Sequence, residues 1–382
     1  MYKVLIFDCT GESSMWCKIF LNKDVEVIKT ITTSDRIPNI LFQKNSWDWL
    51  LIFERNMRTA FETMIRNLKL PLEKIIYALD STTWIQHPNA IYTLLNNSKE
   101  ADTIRRHLNI SNCLAINDFF TCTAEGLSYI TYSEDQVRIT NMFVSQLNWA
   151  SGEMKRFQEL AKQYYNVDES SGYFFDLGAN LGTTGLYFTK KLAPNLKLLS
   201  FEPDPQNFKM HRINIILNDM EEQATLVNCG LSNEPDELML YRRFKDNWGG
   251  NTFIKNGTDT PIATIKVIPL DSYLAQNKIK ASDVKYIWID TEGFEPKVLL
   301  GAKNLIKENP APIFMECNLK AWDKSGLFDD MMNLLAEGYS HFIHFWHGET
   351  FYPINALRTM ERPNNLIGQI GDIFLIKKGV ID

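Results

Sequence analysis

Four segments, three of them acidic and each set directly after an apolar run, hold the residue types best suited to chemistry in this chain. The first reads Phe175-Asp176-Leu177-Gly178-Ala179-Asn180-Leu181-Gly182. Gly178 permits a sharp turn and admits a ligand where a Cβ would otherwise stand. The N–H groups of a helix opening near Thr183 face the same spot. A dinucleotide fold seats a pyrophosphate there and avoids a carboxylate, whereas Asp176 suits a cationic ligand with an ammonium and a sulfonium. The alternative is a glycine-rich structural turn. The second segment, Phe201-Glu202-Pro203-Asp204-Pro205, puts Glu202 24 residues past Gly178 (202 − 178), where an acid accepts both hydroxyls of a ribose. An acid there also complements the dipole of the helix that Pro205 opens. In Asn228-Cys229-Gly230-Leu231-Ser232 a small residue and a free amide can meet an adenine edge. The last, Asp290-Thr291-Glu292-Gly293-Phe294-Glu295, sets three acids in six positions at a buried strand's end, an expensive arrangement without a use. Glu316, in Ile313–Asn318, ends another strand as a reacting or an orienting group.

These segments need strands that end where they begin. Apolar runs at Tyr173–Leu177, Leu196–Phe201, Ala224–Cys229, Glu237–Tyr241, Thr264–Ile268, Lys285–Ile289, Pro312–Glu316, His341–Phe345 and Asp372–Lys377 predict strands, and Thr184–Leu192, Gln206–Leu217, Pro296–Lys307 and Leu327–Glu337 predict helices between them. Strands apolar on both faces, alternating with helices, imply a doubly wound α/β sheet. Such a sheet binds ligands beyond its strands' carboxyl ends. Tyr2–Phe7, Trp49–Phe53 and Lys74–Leu79, with helical stretches at Asn56–Leu68 and Ala90–Leu95 and further strands at Leu114–Phe120 and Leu127–Tyr132, predict a smaller α/β domain. Met142, Leu147, Met154, Phe157, Leu160 and Tyr164 recur at helical steps over Arg138–Val167. The expected organisation is an N-terminal α/β domain at 1–134, a helical connector at 135–171 and the doubly wound domain at 172–382.

The series FDLGANLG (175–182), FEPDP (201–205), GLSN (230–233), PLDSYL (269–274), IDTEGFE (289–295) and FMEC (314–317) resembles, in order and spacing, the FkbM family of methyltransferases. The resemblance covers about Gly172 to Lys378. It implies a class I (Rossmann-like) methyltransferase fold, S-adenosylmethionine as methyl donor, and O-methylation of a sugar, glycan or natural-product hydroxyl. Carried over by motif, Asp176, Gly178, Asn180 and Gly182 would line the methionine part of the donor, Glu202 would take the ribose, Ser232 would lie near the adenine, and Asp290 and Glu292 would lie near the transferred methyl. The first 130 or so residues fall outside that pattern; they would recruit a glycan carrier, dimerise the protein or stabilise it.

For such a transfer Asp290 is the first candidate for base, Glu292 the second, and burial would make either a stronger base. Asp290, Glu292 and Glu316 also offer oxygen ligands to a hard cation, a role ranked below acid–base work, so no metal is expected. Trp248-Gly249-Gly250-Asn251 reads either as a substrate loop with a flat face for a sugar or as a hairpin with a packed Trp. His341 and His347 share a strand face that His344 does not, so the three do not converge on a metal.

Composition narrows the classes. A net charge of −6, with acids and bases mixed, offers no basic stripe for nucleic acid. Six cysteines without CxxC spacing read as free thiols in a reducing, cytoplasmic setting. No run approaches the roughly 18 apolar residues of a membrane span. The rival functions are a nicotinamide-dependent oxidoreductase, which the missing GxGxxG and Asp176 disfavour, and a non-catalytic glycan-binding protein, which the intact Asp176, Glu202 and Asp290 disfavour.

Overall fold

Apolar runs flanked by acids become strands in both of the units into which the chain divides, Met1–Asp118 and Phe119–Asp382. The computed structural model describes residues 2–8, 13–14, 17, 21, 23–32, 46–53, 65–67, 70–71, 74–77, 119–135, 142, 146–245, 247–345, 350–361 and 371–381.

In the first unit β1 (Tyr2–Asp8), β2 (Val25–Thr32), β3 (Trp49–Phe53) and β4 (Ile75–Tyr77) form a parallel sheet in the order β2-β1-β3-β4. Leu5, Phe7, Leu50, Ile52 and Ile75 pack with Trp47 into its core. The edge strand β2 buries only Ile31 along its length, which is why no apolar run announced it. Of the helical stretch Asn56–Leu68 only residues 65–67 are described, and they are helical. The stretch Ala90–Leu95 lies outside the described residues.

The second unit opens with a hairpin, β5 (Phe119–Ala124) and β6 (Leu127–Tyr132). Glu125 and Gly126, both at positive φ (47° and 75°), make the two-residue turn that matches strand twist. Within the helix expected from Arg138, Met142 is helical, and the long helix of the stretch runs from Ser151 to Tyr165. Gln146 and Ala150 lie at φ 56° and 54°, and this left-handed backbone ends helical continuity. Leu147, placed on the apolar stripe by periodicity, is therefore exposed.

Beyond this helix come β7 (Tyr173–Leu177), β8 (Lys197–Phe201), β9 (Ala224–Val227), β10 (Gly230–Leu231), β11 (Asp236–Arg242), β12 (Thr260–Ile268), β13 (Val284–Ile289), β14 (Ile313–Cys317), β15 (Tyr339–His344), β16 (Thr350–Pro353) and β17 (Gly371–Lys377). Eight of them make one sheet, β16-β15-β17-β14-β13-β7-β8-β9. β14, β13, β7, β8 and β9 run parallel, and β17 is antiparallel to β14 and β15. This is the doubly wound α/β fold expected. Winding reverses between β7 and β13, so a crevice opens beyond their carboxyl ends.

Phe175, Leu177, Ile287, Ile289, Ile313 and Met315 face one core. Phe174, Tyr286, Trp288, Phe314 and Phe374 face the other, where Phe157 of the helix Ser151–Tyr165 meets Tyr286 edge-on at 5.3 Å. β10, β12 and β11 form a small side sheet. The helix expected over Pro296–Lys307 is two, Glu295–Leu300 and Lys303–Glu308, parted at Gly301, where a Cβ would stand 2.1 Å from the Ser232 carbonyl oxygen. The helices Leu270–Gln276 and Leu319–Ser325 lacked enough apolar periodicity to be anticipated.

Candidate active site

The ends of β7, β8 and β13 are drawn together by backbone hydrogen bonds. Gly178 and Ala179 N–H donate to the Phe201 carbonyl (3.0 and 2.9 Å), and Asp290 N–H donates to that of Leu177 (3.0 Å). Gly178 sits at φ 96°, and a Cβ there would lie 1.9 Å from the Asp290 carbonyl oxygen. Only glycine permits this approach. Beyond these ends lies a cleft enclosing about 550 Å³ of atom-free space, its open mouth included. Gly178, Asn180, Glu202, Asp290 and Glu292 all line it, so five of the eight site residues expected from sequence come together.

Glu202 is buried at the end of β8. Its two carboxylate oxygens accept from Asn180 N–H (2.7 Å) and Asp204 N–H (2.8 Å). Burial, reinforced by the nearby Asp204 carboxylate, pushes its pKa up to about 8. The carboxylate keeps lone-pair capacity for a further donor. Asn180, itself at φ 51°, is buried in the cleft wall with neither carboxamide atom hydrogen-bonded. Asn207, also lining the cleft, donates to the Trp248 carbonyl (3.0 Å) and leaves its own oxygen unbonded. Buried polar atoms are rarely left in this state unless something else completes them. Asp204 caps the helix Pro205–Leu217 by accepting from Gln206 and Asn207 N–H, and it also accepts from Asn251 Nδ2 (2.7 Å).

Three expected site residues do not line this cleft. Asp176 is buried and accepts from Gly185 N–H (2.8 Å), bracing the helix Thr183–Tyr187. Gly182, at φ 76°, makes room for His211: a Cβ would stand 2.0 Å from its ring. Burial drives the His211 pKa down to about 3, so the imidazole is neutral. Ser232 is buried, its N–H donating to the Ile268 carbonyl (3.0 Å). Cys229, Gly230 and Leu231, just before it, supply the cleft wall.

The acid-rich segment after β13 is shaped by Glu295. This buried carboxylate accepts from Thr291 N–H (3.0 Å), Thr291 Oγ1 (2.8 Å) and Gly293 N–H (3.2 Å) on one oxygen and from Trp322 Nε1 (2.7 Å) on the other. Glu292 is held at φ 53°, a conformation disfavoured for a side chain of its kind, and pairs with Arg243 at 3.3 Å. Glu295 and Arg243 were not singled out from sequence. Glu295 reads only as one of the three acids in the segment 290–295, with no role of its own, and no motif marks Arg243. Trp248 is 4% exposed, stacked by Tyr132 at 4.3 Å and covered by the Arg242 guanidinium at 4.0 Å. It is a packed Trp, with no free face for a sugar.

Among the described residues no group of three or more His, Cys, Asp or Glu side chains is arranged to hold a metal ion, and no helix is long and apolar enough to cross a membrane. His344 is buried and His341 half-buried; His347 lies outside the described residues.

Residues 176–341 match the family model described as the methyltransferase FkbM domain. A 71-residue stretch, 19% of this chain, is 37% identical to the methyltransferase sdnD of Sordaria araneosa and spans 27% of that protein, so the match covers about a quarter of the curated relative. Among solved structures, Methyltransferase FkbM from Methylobacillus flagellatus KT aligns with 98% of this chain and 89% of its own at 13% identity, with a TM-score of 0.36. Precorrin-6y C5,15-methyltransferase from Geobacter metallireducens GS-15 aligns with 58% of this chain and 84% of its own at 12% identity, with a TM-score of 0.29.

Proposed function

We propose that this protein, which carries an FkbM methyltransferase domain over residues 176–341, moves a methyl group from S-adenosylmethionine to a hydroxyl of a sugar, glycan or natural product. The observation that carries the reading is the buried Asn180 carboxamide, unpartnered at both polar atoms and set beside Glu202 in the cleft. This donor set fits an adenosyl ligand. Glu202 keeps lone-pair capacity for a vicinal diol, and Asn180 and Asn207 offer unspent hydrogen bonds.

When bound, S-adenosylmethionine supplies an activated methyl group on a sulfonium. The residues of the chain do the rest. Glu202 and Asn180 fix the donor's orientation. Asp290 lines the same cleft one strand away, where its carboxylate can take the hydroxyl proton of an acceptor held for in-line attack. Glu292, neutralised by Arg243, shapes the acceptor side. Among the described residues Cys17, Cys122 and Cys229 are free thiols, in keeping with a reducing, cytoplasmic setting.

Calorimetric titration of the full chain with S-adenosylmethionine, S-adenosylhomocysteine and NAD tests this reading. Binding of the first two at one site per chain, without binding of NAD, is expected. A protein that ignores both adenosyl compounds does not have the function proposed.

A further inference from the structure

The eight-stranded sheet has a second hollow, at the edge opposite the cleft. β13 ends at the cleft with Asp290 just beyond it, and its first residues, Val284 and Lys285, line a groove. This groove encloses about 660 Å³ of atom-free space, its open mouth included. Pro310, Ala311 and Pro312, ahead of β14, line it as well, together with Lys377, the last residue of the antiparallel β17. Tyr165, which ends the helix Ser151–Tyr165, and Val167 beyond it complete that wall.

Strand register sets the two lysines. Ile287 pairs with Ile313, and Phe314 with Phe374, so counting along the strands brings Lys285 and Lys377 level with Ala311, one on each side. Two strand widths put them roughly 10 Å apart at the backbone. The register of β13 against β7 shifts between Val284 and Tyr286, which makes Lys285 a bulged residue, and a bulge re-aims its side chain. Both lysines are half-buried. Among the described residues neither forms a salt bridge. Lys377 lies over the Tyr165 ring at 5.1 Å. Asp168, which also lines the groove, spends its carboxylate on Ser170 N–H and Oγ (2.9 Å each); these bonds first, and Lys285 more weakly, hold its pKa below the usual range. Two ammonium groups that line one groove without a paired counter-charge repel each other until an anion joins them.

The lining narrows what that anion can be. A lysine is a compact point charge suited to phosphoryl oxygens, whereas a carboxylate is better met by the flat fork of an arginine. Tyr165 O–H is spent on the Leu375 carbonyl (2.6 Å), and Asn309 Nδ2 on those of Ala281 and Val284 (2.7 and 3.0 Å). The lysines are therefore the charged donors left to a ligand. Val167, Pro310, Ala311 and Pro312 add apolar surface beside them. We propose that this groove is a second binding site, separate from the cleft, for a small phosphorylated organic molecule. Its phosphoryl group lies between Lys285 and Lys377, and its carbon body rests against Val167, Pro310 and Pro312.

Calorimetric titration of the full chain with phenyl phosphate, beside inorganic phosphate and phenol at equal ionic strength, tests this. One phenyl phosphate should bind per chain, about tenfold tighter than inorganic phosphate because its ring is taken out of water, and phenol should not bind. Lys285→Gln and Lys377→Gln should each weaken that binding about tenfold. Lys303→Gln, which removes the same charge from an exposed helix position outside the groove, should leave it within about twofold. Saturation with S-adenosylhomocysteine should leave it unchanged too, so the groove stands or falls apart from the donor reading of the cleft. In the wild-type chain phenyl phosphate should also slow acetylation of Lys285 and Lys377 by acetic anhydride, as peptide mass spectrometry reports. Absence of saturable binding, inorganic phosphate bound as tightly, unchanged affinity in either groove variant, competition with S-adenosylhomocysteine, or undiminished acetylation of the two lysines overturns the proposal.

Discussion

Glu202 carries its proton into a pH range where carboxylates are ordinarily ionised, because burial disfavours its charge more than two backbone donors favour it. Its pKa rises from 4.5 unfolded to about 8 folded. The folded chain therefore binds the extra proton between those values, and the stability it brings is present below pH 4.5 and is lost as pH climbs through 8. Glu202→Gln should flatten this descent, removing up to about 1.4 kcal/mol per pH unit of slope in chemical unfolding measured at steps from pH 5 to 8. Ribose hydroxyls donate to the ionised form, so donor affinity of the wild type should strengthen over the same interval, and the variant should bind weakly throughout. An undiminished affinity in Glu202→Gln would remove the carboxylate from the donor site. Asp290 makes the complementary case. Asp290→Asn preserves size and cleft shape, so turnover should fall about 10²–10⁴-fold while the dissociation constant for S-adenosylhomocysteine stays near that of the wild type. Equal losses in both would make Asp290 a binding group.

Between residue and fold stands the segment 290–295, whose shape depends on Glu295 far more than on its own strand. A glutamine there keeps one acceptor but turns an N–H₂ toward Thr291 and Gly293 or toward Trp322. One buried donor is then left facing another, at a cost of about 1–3 kcal/mol. Glu295→Gln should lower the unfolding temperature and reduce kcat with little change in donor affinity, because Glu202 and Asn180 stand on other elements. A variant with normal kcat would mean that the segment holds its form unaided. Glu295 also shows what a sequence conceals. Apolar runs ending in acids marked β7, β8, β13 and β14 within a residue or so, since a strand buried on both faces admits few polar residues. Which way each terminal acid turns was not written there. Asp176 and Glu202 have the same local signature, yet one braces a helix N-terminus and the other lines the cleft. The pairing partners that separate them, Gly185 for one and Asn180 with Asp204 for the other, are contacts between elements. The two-residue β10, though buried, is too short to show a pattern, and β16 and the exposed edge β2 left no mark because they bury little.

At the scale of the whole molecule, every residue lining the cleft lies in the unit Phe119–Asp382. So do both faces of the eight-stranded sheet and the cores that cover them. The hairpin Phe119–Tyr132 belongs to the same unit through specific bonds. Ile130 N–H donates to the Asn214 side chain (2.7 Å), and Ser128 N–H donates to that of Asn218 (3.0 Å), fastening the hairpin to the helix Pro205–Leu217. Tyr132 meanwhile stacks on Trp248, whose neighbours Gly249 and Asn251 form part of the cleft wall. A chain cut at 119 keeps these contacts, whereas a chain cut at 135 loses them and uncovers Trp248. Expressed alone, residues 119–382 should unfold cooperatively and bind S-adenosylhomocysteine with wild-type affinity, while residues 135–382 should unfold at lower temperature and bind it more weakly, as calorimetry of the two fragments would report. The unit Met1–Asp118 has its own parallel sheet and its own core, so its removal should alter donor binding no more than twofold or so. A shorter fragment as stable and as tight as the longer one would deny the hairpin its part in holding the cleft, and a longer fragment unable to bind would show that the donor site needs residues from the first unit.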